Sequence, residues 1–189
     1  MKEKLLLVGA GGFGRTAVEH AVGTYDCSFV DDCYPQKKEV CGIAIVGKIA
    51  DLPSLFKTYK KLVVTIGNSK LREKIYLQAK EIGFDFPNIV AASAYISPFA
   101  SVGKGCVFLN NVSVQNGAQV GSGVLLNPCV EIHHDSFVED YALIYSNSVV
   151  CTYARVGKRA LIGSTVSVSV NAVVKEDEII PDGTVRSAV

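Results

Sequence analysis

From Ile96 onward every sixth residue is aliphatic or phenylalanine: Ile96, Val102, Phe108, Val114, Val120, Leu126, Ile132, Val138, Ile144, Val150, Val156, Ile162, Val168 and Val174, fourteen positions without a break. Four residues after each anchor stands a small or β-branched residue, thirteen in succession from Ala100 to Ala172. Neither the helical period of ~3.6 nor the alternation of a strand produces a six-residue beat. A fixed internal period is the signature of a solenoid. Six residues make one flat side of a three-sided coil, with the anchor inward and the small residue near the tight corner. Stacked coils then bury a continuous aliphatic column and pair their backbones with one another. Residues 96–179 are expected to hold between four and five coils.

The first 90 residues follow other rules. "KLLLVGA" (4–10) is a short, continuously apolar run such as a buried parallel strand needs; "CSFVDD" (27–32) and "KLVVTIGN" (61–68) are two more strands. "GRTAVEHAV" (14–22) and "LPSLFKTY" (52–59) read as helices, and "SKLREKIYLQAKEIG" (69–83) places Leu71, Ile75, Tyr76 and Ala79 on one face. Strands alternating with helices predict a small parallel sheet covered by helices. The expected organisation is an α/β domain over residues 1–90 and a solenoid over 91–189.

With 49% hydrophobic residues and a net charge of +1, the chain can build a core and has no bulk charge to draw nucleic acid or an anionic membrane. Its N-terminal apolar run is broken by glycines and is too short for a membrane span or a secretory signal. The six cysteines (27, 33, 41, 106, 129, 151) include no CxxC and lie mostly among apolar neighbours, so reduced core cysteines in a cytoplasmic protein are expected. Of the three histidines, two are adjacent, which is not the spacing of three ligands around one metal.

Gly9, Gly11 and Gly14 of "GAGGFG" fit G-x-G-x-x-G between a strand and a helix, and Asp31 and Asp32 follow about twenty residues later, as in a dinucleotide fingerprint. The unit is small for a dinucleotide fold, however, and a glycine turn presents backbone N–H groups to any phosphate. A dinucleotide, another nucleotide and a purely structural turn all fit these residues alone.

The other chemistry-bearing stretch is "EIHHDS" (131–136). Counted from the anchor Ile132, His134 and Asp135 fall where a coil side faces outward or turns. A solvated histidine on a prism face is one reading. The other is a base: imidazole takes a proton at neutral pH, and an adjacent carboxylate fixes its tautomer.

In order, "LLLVGAGGFGR", "FVDD", "TIGNSKLREKI", "SAYISPFASVGKG" and "IHHDS" within hexapeptides resemble the left-handed β-helix sugar acyltransferases, among them sialic acid O-acetyltransferases and UDP-4-amino-sugar N-acetyltransferases. The resemblance covers nearly the whole chain. It implies a Rossmann-like α/β domain followed by a left-handed parallel β-helix. It implies an enzyme that takes acetyl-CoA as co-substrate, uses no metal, and N-acetylates a UDP-linked amino sugar directly, without a covalent enzyme intermediate. The alternatives are a sialic-acid-type O-acetyltransferase and a non-catalytic nucleotide-sugar-binding trimer. Carried over residue by residue, Gly12, Phe13 and Gly14 sit at the diphosphate and sugar, Asp31 and Asp32 face the uridine, and Gly67 marks the next strand end. His134 is the general base, Asp135 its partner and His133 a bystander. Leu143 and Ser164 fall near acetyl-CoA, which in the family lies in a groove between two prisms of a homotrimer. Tyr141, Tyr145 and Tyr153 are expected to face outward toward that interface. Phe13 and Leu143 stand where the family usually has histidine.

Overall fold

In the first structural unit, which ends at Ile89, the elements run β1 (Glu3–Val8), α1 (Gly12–Ala21), β2 (Tyr25–Val30), the antiparallel pair β3 (Glu39–Val40) and β4 (Ile43–Ala44), α2 (Leu52–Leu55), β5 (Lys61–Val64) and α3 (Ser69–Ile82). These are the coordinates of a computed structural model, which describes residues 2–188. The main sheet has the order β2-β1-β5, all parallel, with Leu5 opposite both Cys27 and Lys61. Leu5, Leu6, Leu7 and Val8 are wholly buried. A central parallel strand with helices packed over it has no solvated face, so its sequence does not alternate.

β1 stops at Val8, short of the predicted Ala10, because Gly9 turns the chain at φ +105°. α1 begins at Gly12, two residues earlier than predicted, and buries Gly14, Ala17, Val18 and Ala21, the spacing of one helical face. A Cβ on Gly14 would run into the carbonyl oxygen of Gly9, so α1 packs directly on the turn. α2 is shorter than its predicted span and follows a 3₁₀ turn at Ile49–Asp51. Asn68 caps α3, its side chain accepting from Leu71 N at 2.9 Å, and Gly83 closes the helix at φ +104°. The buried face of α3 is Arg72, Ile75, Tyr76 and Ala79. Leu71, expected on that face, is 41% exposed.

The second unit begins at Val90 and is a parallel β-helix. One face stacks Tyr95–Ile96, Ser113–Val114, Glu131–Ile132, Val149–Val150, Ser167–Val168 and Val185–Arg186; the next stacks Ser101–Val102, Gln119–Val120, Phe137–Val138, Arg155–Val156 and Val173–Val174. The third includes Val107–Phe108, Leu125–Leu126, Leu143–Ile144, Leu161–Ile162 and Ile179–Ile180. Each strand pairs in parallel with the one a full coil away, as Val114 with Ile132 and Ile132 with Val150. The repeat outruns the sequence expectation: Ile180 continues the anchor column, and Arg186 holds the last anchor register, opposite Val168.

The anchors from Phe108 to Ile180 and most of the small residues four places after them form one hydrophobic column; Ser136 and Ser148, at the same inward places, are buried with their hydroxyls donating to His133 O and Gly163 O. Each fully buried aliphatic side chain contributes roughly 1.5–3 kcal/mol. The column leaves no room at the corners, and the third residue after each anchor turns the chain in the left-handed region, from Gly105 through Asp135 (φ 57°) and Tyr153 (φ 61°) to Gly183. Asn and Asp tolerate that region; Tyr153 and Thr165 (φ 55°) are held there by the coils stacked above and below.

Two further expectations about side chains are corrected. Tyr141 is buried (5% exposed), its backbone N–H bonded to Ser122 O at 2.8 Å, whereas Tyr145 and Tyr153 are exposed. The cysteines are all free thiols, but only Cys106 is buried; Cys33, Cys41 and Cys129 are exposed. Among the described residues no helix is long and apolar enough to cross a membrane.

Candidate active site

In the first unit the turn after β1 and the start of α1 form one wall of a pocket of about 350 Å³. Gly12, Phe13, Asp31, Asp32 and Gly67 line it, with Gly9, Gly11, Ile49, Thr65, Ile66 and Leu71. Gly14 does not; it lies buried beneath the turn against Gly9. The first intrahelical bond of α1 runs from Arg15 N to Gly11 O, so the N–H groups of Gly12, Phe13 and Gly14 precede it. A helix N-terminus of this kind favours an anion such as a phosphate.

The paired acids serve the pocket's frame. Asp31 accepts from Ala10 N at 2.8 Å and from Cys33 N at 2.9 Å, tying the glycine turn to the loop after β2. Burial pushes its carboxyl up, but the hydrogen bonds from Cys33 and Ala10 outweigh that and leave it below its ordinary value. Asp32 accepts from Ile49 N at 3.0 Å. Opposite them the lip is held by a residue that the sequence reading passed over. Arg72 is wholly buried and donates to Ile66 O at 2.6 Å, Gly67 O at 3.0 Å and Ser69 Oγ at 3.1 Å. Its signal was an arginine at an inward position of an otherwise apolar helix face.

In the second unit His134 and Asp135 occupy the corner between the first and second faces. The His134 side chain is half exposed and lies outside the column. Its Nδ1 stands 3.0 Å from Asp135 Oδ2 and its Nε2 3.1 Å from Thr152 Oγ1. Gln115 Oε1 accepts the His134 backbone N–H at 3.2 Å, and the ring meets that of Tyr153 edge-on, centroids 6.3 Å apart. An ionised carboxylate only accepts, so Nδ1 carries the ring's proton and Nε2 is the free base. His133 turns to the first face, 3.3 Å from Glu131, in a groove of about 450 Å³ shared with Cys129 and Cys151. A second groove, of about 350 Å³, runs along the second face past Phe137, Arg155 and Lys158. The histidine corner therefore stands between two grooves.

Leu143 and Ser164 are placed elsewhere on the prism. Leu143 is buried (1% exposed) on the third face, the one that does not meet the His134 corner, so within one chain its side chain has nothing to offer a bound molecule. Ser164 lies at the corner between the third and first faces, its N–H bonded to Asp182 Oδ1 at 2.7 Å. Thr152 and Gln115 were missed. The coil period would have found Thr152, since it follows His134 by 18 residues. Among the described residues no group of three or more His, Cys, Asp or Glu is placed to hold a metal ion.

Residues 4–79 match the PglD N-terminal domain family and residues 87–189 the GMPPB C-terminal domain family. Among solved structures, the chain is similar to the acetyltransferase domain of PglB from Neisseria gonorrhoeae, at 27% identity and a TM-score of 0.92 over 99% of this chain and 92% of that one. The same domain in complex with acetyl coenzyme A aligns at 28% identity and a TM-score of 0.87, over 98% and 96%. A mutant perosamine N-acetyltransferase from Caulobacter crescentus, in complex with CoA and GDP-perosamine, shares the fold at 24% identity and a TM-score of 0.91, over 98% and 89%.

Proposed function

We propose, from the premise that this chain belongs through residues 87–189 to the GMPPB C-terminal domain family and as a whole to the hexapeptide-repeat β-helix sugar acyltransferases, that it acetylates the amino group of a nucleotide-linked amino sugar. The observation that carries this reading is the His134 corner: a half-exposed imidazole with a carboxylate on Nδ1 and the Thr152 hydroxyl on Nε2. Acetyl-CoA is the donor, as the acetyl-CoA-bound PglB domain supports. The acceptor is a UDP-linked 4-amino sugar; the relative crystallised with GDP-perosamine supports the wider class of nucleotide amino sugars.

In this reading the helix N-terminus at Gly12 and Phe13 receives the diphosphate, while Asp31, Asp32 and Arg72 keep the turn and the Ile66–Gly67 lip in place. His134 takes the proton that the amine loses on attacking the thioester. Asp135 holds the tautomer and stabilises the imidazolium. No nucleophile of the chain is needed, so transfer is direct. The protein works as a homotrimer in the cytoplasm, with exposed Tyr153 beside the histidine marking the edge that a second copy covers. Sedimentation at micromolar concentration measures that state.

The deciding experiment is thiol release from acetyl-CoA with a panel of UDP- and GDP-amino sugars, on the wild type and His134→Ala. The variant is expected to lose about 10²–10⁴ in kcat. Equal turnover removes His134 as the base. Release only with hydroxyl acceptors moves the reading to O-acetylation, and none with any acceptor, alongside nucleotide-sugar binding, to a binding protein.

A further inference from the structure

Nε2 of His134 has a single in-plane lone pair, and the structure already has a partner on it. Because Nδ1–H points at Asp135, the Thr152 hydroxyl at 3.1 Å must be the donor and Nε2 the acceptor. Thr152 sits one coil below His134, at the same corner, next to exposed Tyr153. The pair is open to solvent, so a molecule bound at this corner can reach the hydroxyl. Of the two groups, only the oxygen has lone pairs to spare.

We propose that Thr152 is a catalytic residue that relays the acceptor's proton to His134. This rests on the reading of His134 as the base. As the amine nitrogen bonds to the thioester carbonyl carbon, its N–H bond breaks and the proton passes to Thr152 Oγ1. The hydroxyl's own proton passes in the same event to Nε2. The ring becomes an imidazolium with Nδ1–H still held by Asp135, and Thr152 is again a neutral alcohol. When the carbon–sulfur bond breaks, Nε2–H returns a proton through the same oxygen to the departing sulfur. The sum is amine plus thioester to amide plus thiol, with His134 and Thr152 restored. A hydroxyl relay keeps the ring still: the tethers at Asp135 and Gln115 need not break for the base to work.

The test compares wild type with Thr152→Val, which keeps the shape and removes the hydroxyl, and Thr152→Ser, which restores it, in single turnovers with acetyl-CoA and the accepted amino sugar. Thr152→Val is expected to lose about tenfold to a hundredfold in rate, with half-saturation by acetyl-CoA unchanged, and Thr152→Ser to stay within about threefold of wild type. In mixtures of light and heavy water the wild-type rate should curve as two protons in flight require, and the Thr152→Val rate should fall on a line. A wild-type rate in Thr152→Val with an inactive His134→Ala overturns the relay and leaves the base standing; an active His134→Ala overturns both. A linear dependence in the wild type also overturns the relay. Independently of turnover, nitrogen-15 spectra of the His134 ring should show Nδ1 protonated and Nε2 shifted between wild type and Thr152→Val; identical Nε2 signals overturn the contact itself.

Discussion

Gly117 lies one coil above Asp135, so close that a Cβ on the glycine would collide with the Asp135 carboxylate. Gly117 also sits at φ +71°, where a residue other than Gly, Asn or Asp is strained. The carboxylate that holds His134 thus has room only because its upper neighbour lacks a side chain. Gly117→Ala should push Asp135 off Nδ1 and lower kcat by about tenfold or more, at a backbone cost of about 1–2 kcal/mol. Combined with Asp135→Asn it should cost little further, because both variants remove the same tether. Thermal melts and kcat for the single and double variants measure this.

Two glycines in the first turn of α1 separate folding from binding. Gly14→Ala collides with Gly9 O and should destabilise the fold by about 1–3 kcal/mol or more. At Gly12 a Cβ meets nothing within 4 Å, so Gly12→Ala should melt like the wild type and weaken nucleotide-sugar affinity at the pocket wall. Calorimetric titration beside thermal melts distinguishes the two.

Acid should loosen the same turn through Asp31. Its folded-state carboxyl is held below the ordinary value of 3.8, so its stabilising contribution is complete above that pH and disappears as pH falls below 3.8 toward the depressed value. Asp31→Asn should be less stable at neutral pH by about 1–3 kcal/mol, since an amide offers one acceptor to two backbone N–H groups. Its stability should also fall less steeply than wild type in that acid range. Urea unfolding at a series of pH values reads both.

The cysteines should divide by accessibility and thiol acidity. Cys106 is wholly buried, and burial pushes the Cys27 thiol up to about 11, so both should resist iodoacetamide. Cys33 is exposed, but its hydrogen bond to Asp31 raises it, and it should label after Cys41 and Cys129 at pH near 8. Mass spectrometry of timed labelling gives the order.

The prism was legible in sequence because every side repeats one demand: an aliphatic anchor inward and a small residue four places on. A packing rule repeated from Ile96 to Val174 outweighs local noise. Leu71 and Tyr141 were read wrongly, and Arg72 was passed over, because single side chains follow neighbours from distant parts of the chain. Arg72 takes an inward place because the Ile66–Gly67 carbonyls need donors, and Leu71 is left outside. His134 and Asp135, adjacent in sequence, could be found together; Thr152 and Gln115 reach them only through coil stacking.

That stacking ties the histidine corner to chain length. Gln115, His134 and Thr152 belong to three successive coils, aligned only while whole turns separate them. A six-residue insertion between positions 115 and 152 would preserve the inward pattern yet rotate the partners onto different walls. A whole extra turn inserted beyond Thr152 would lengthen the prism and leave the corner as it is. The protein can thus change its height freely along most of its axis, but between those two residues its spacing is locked.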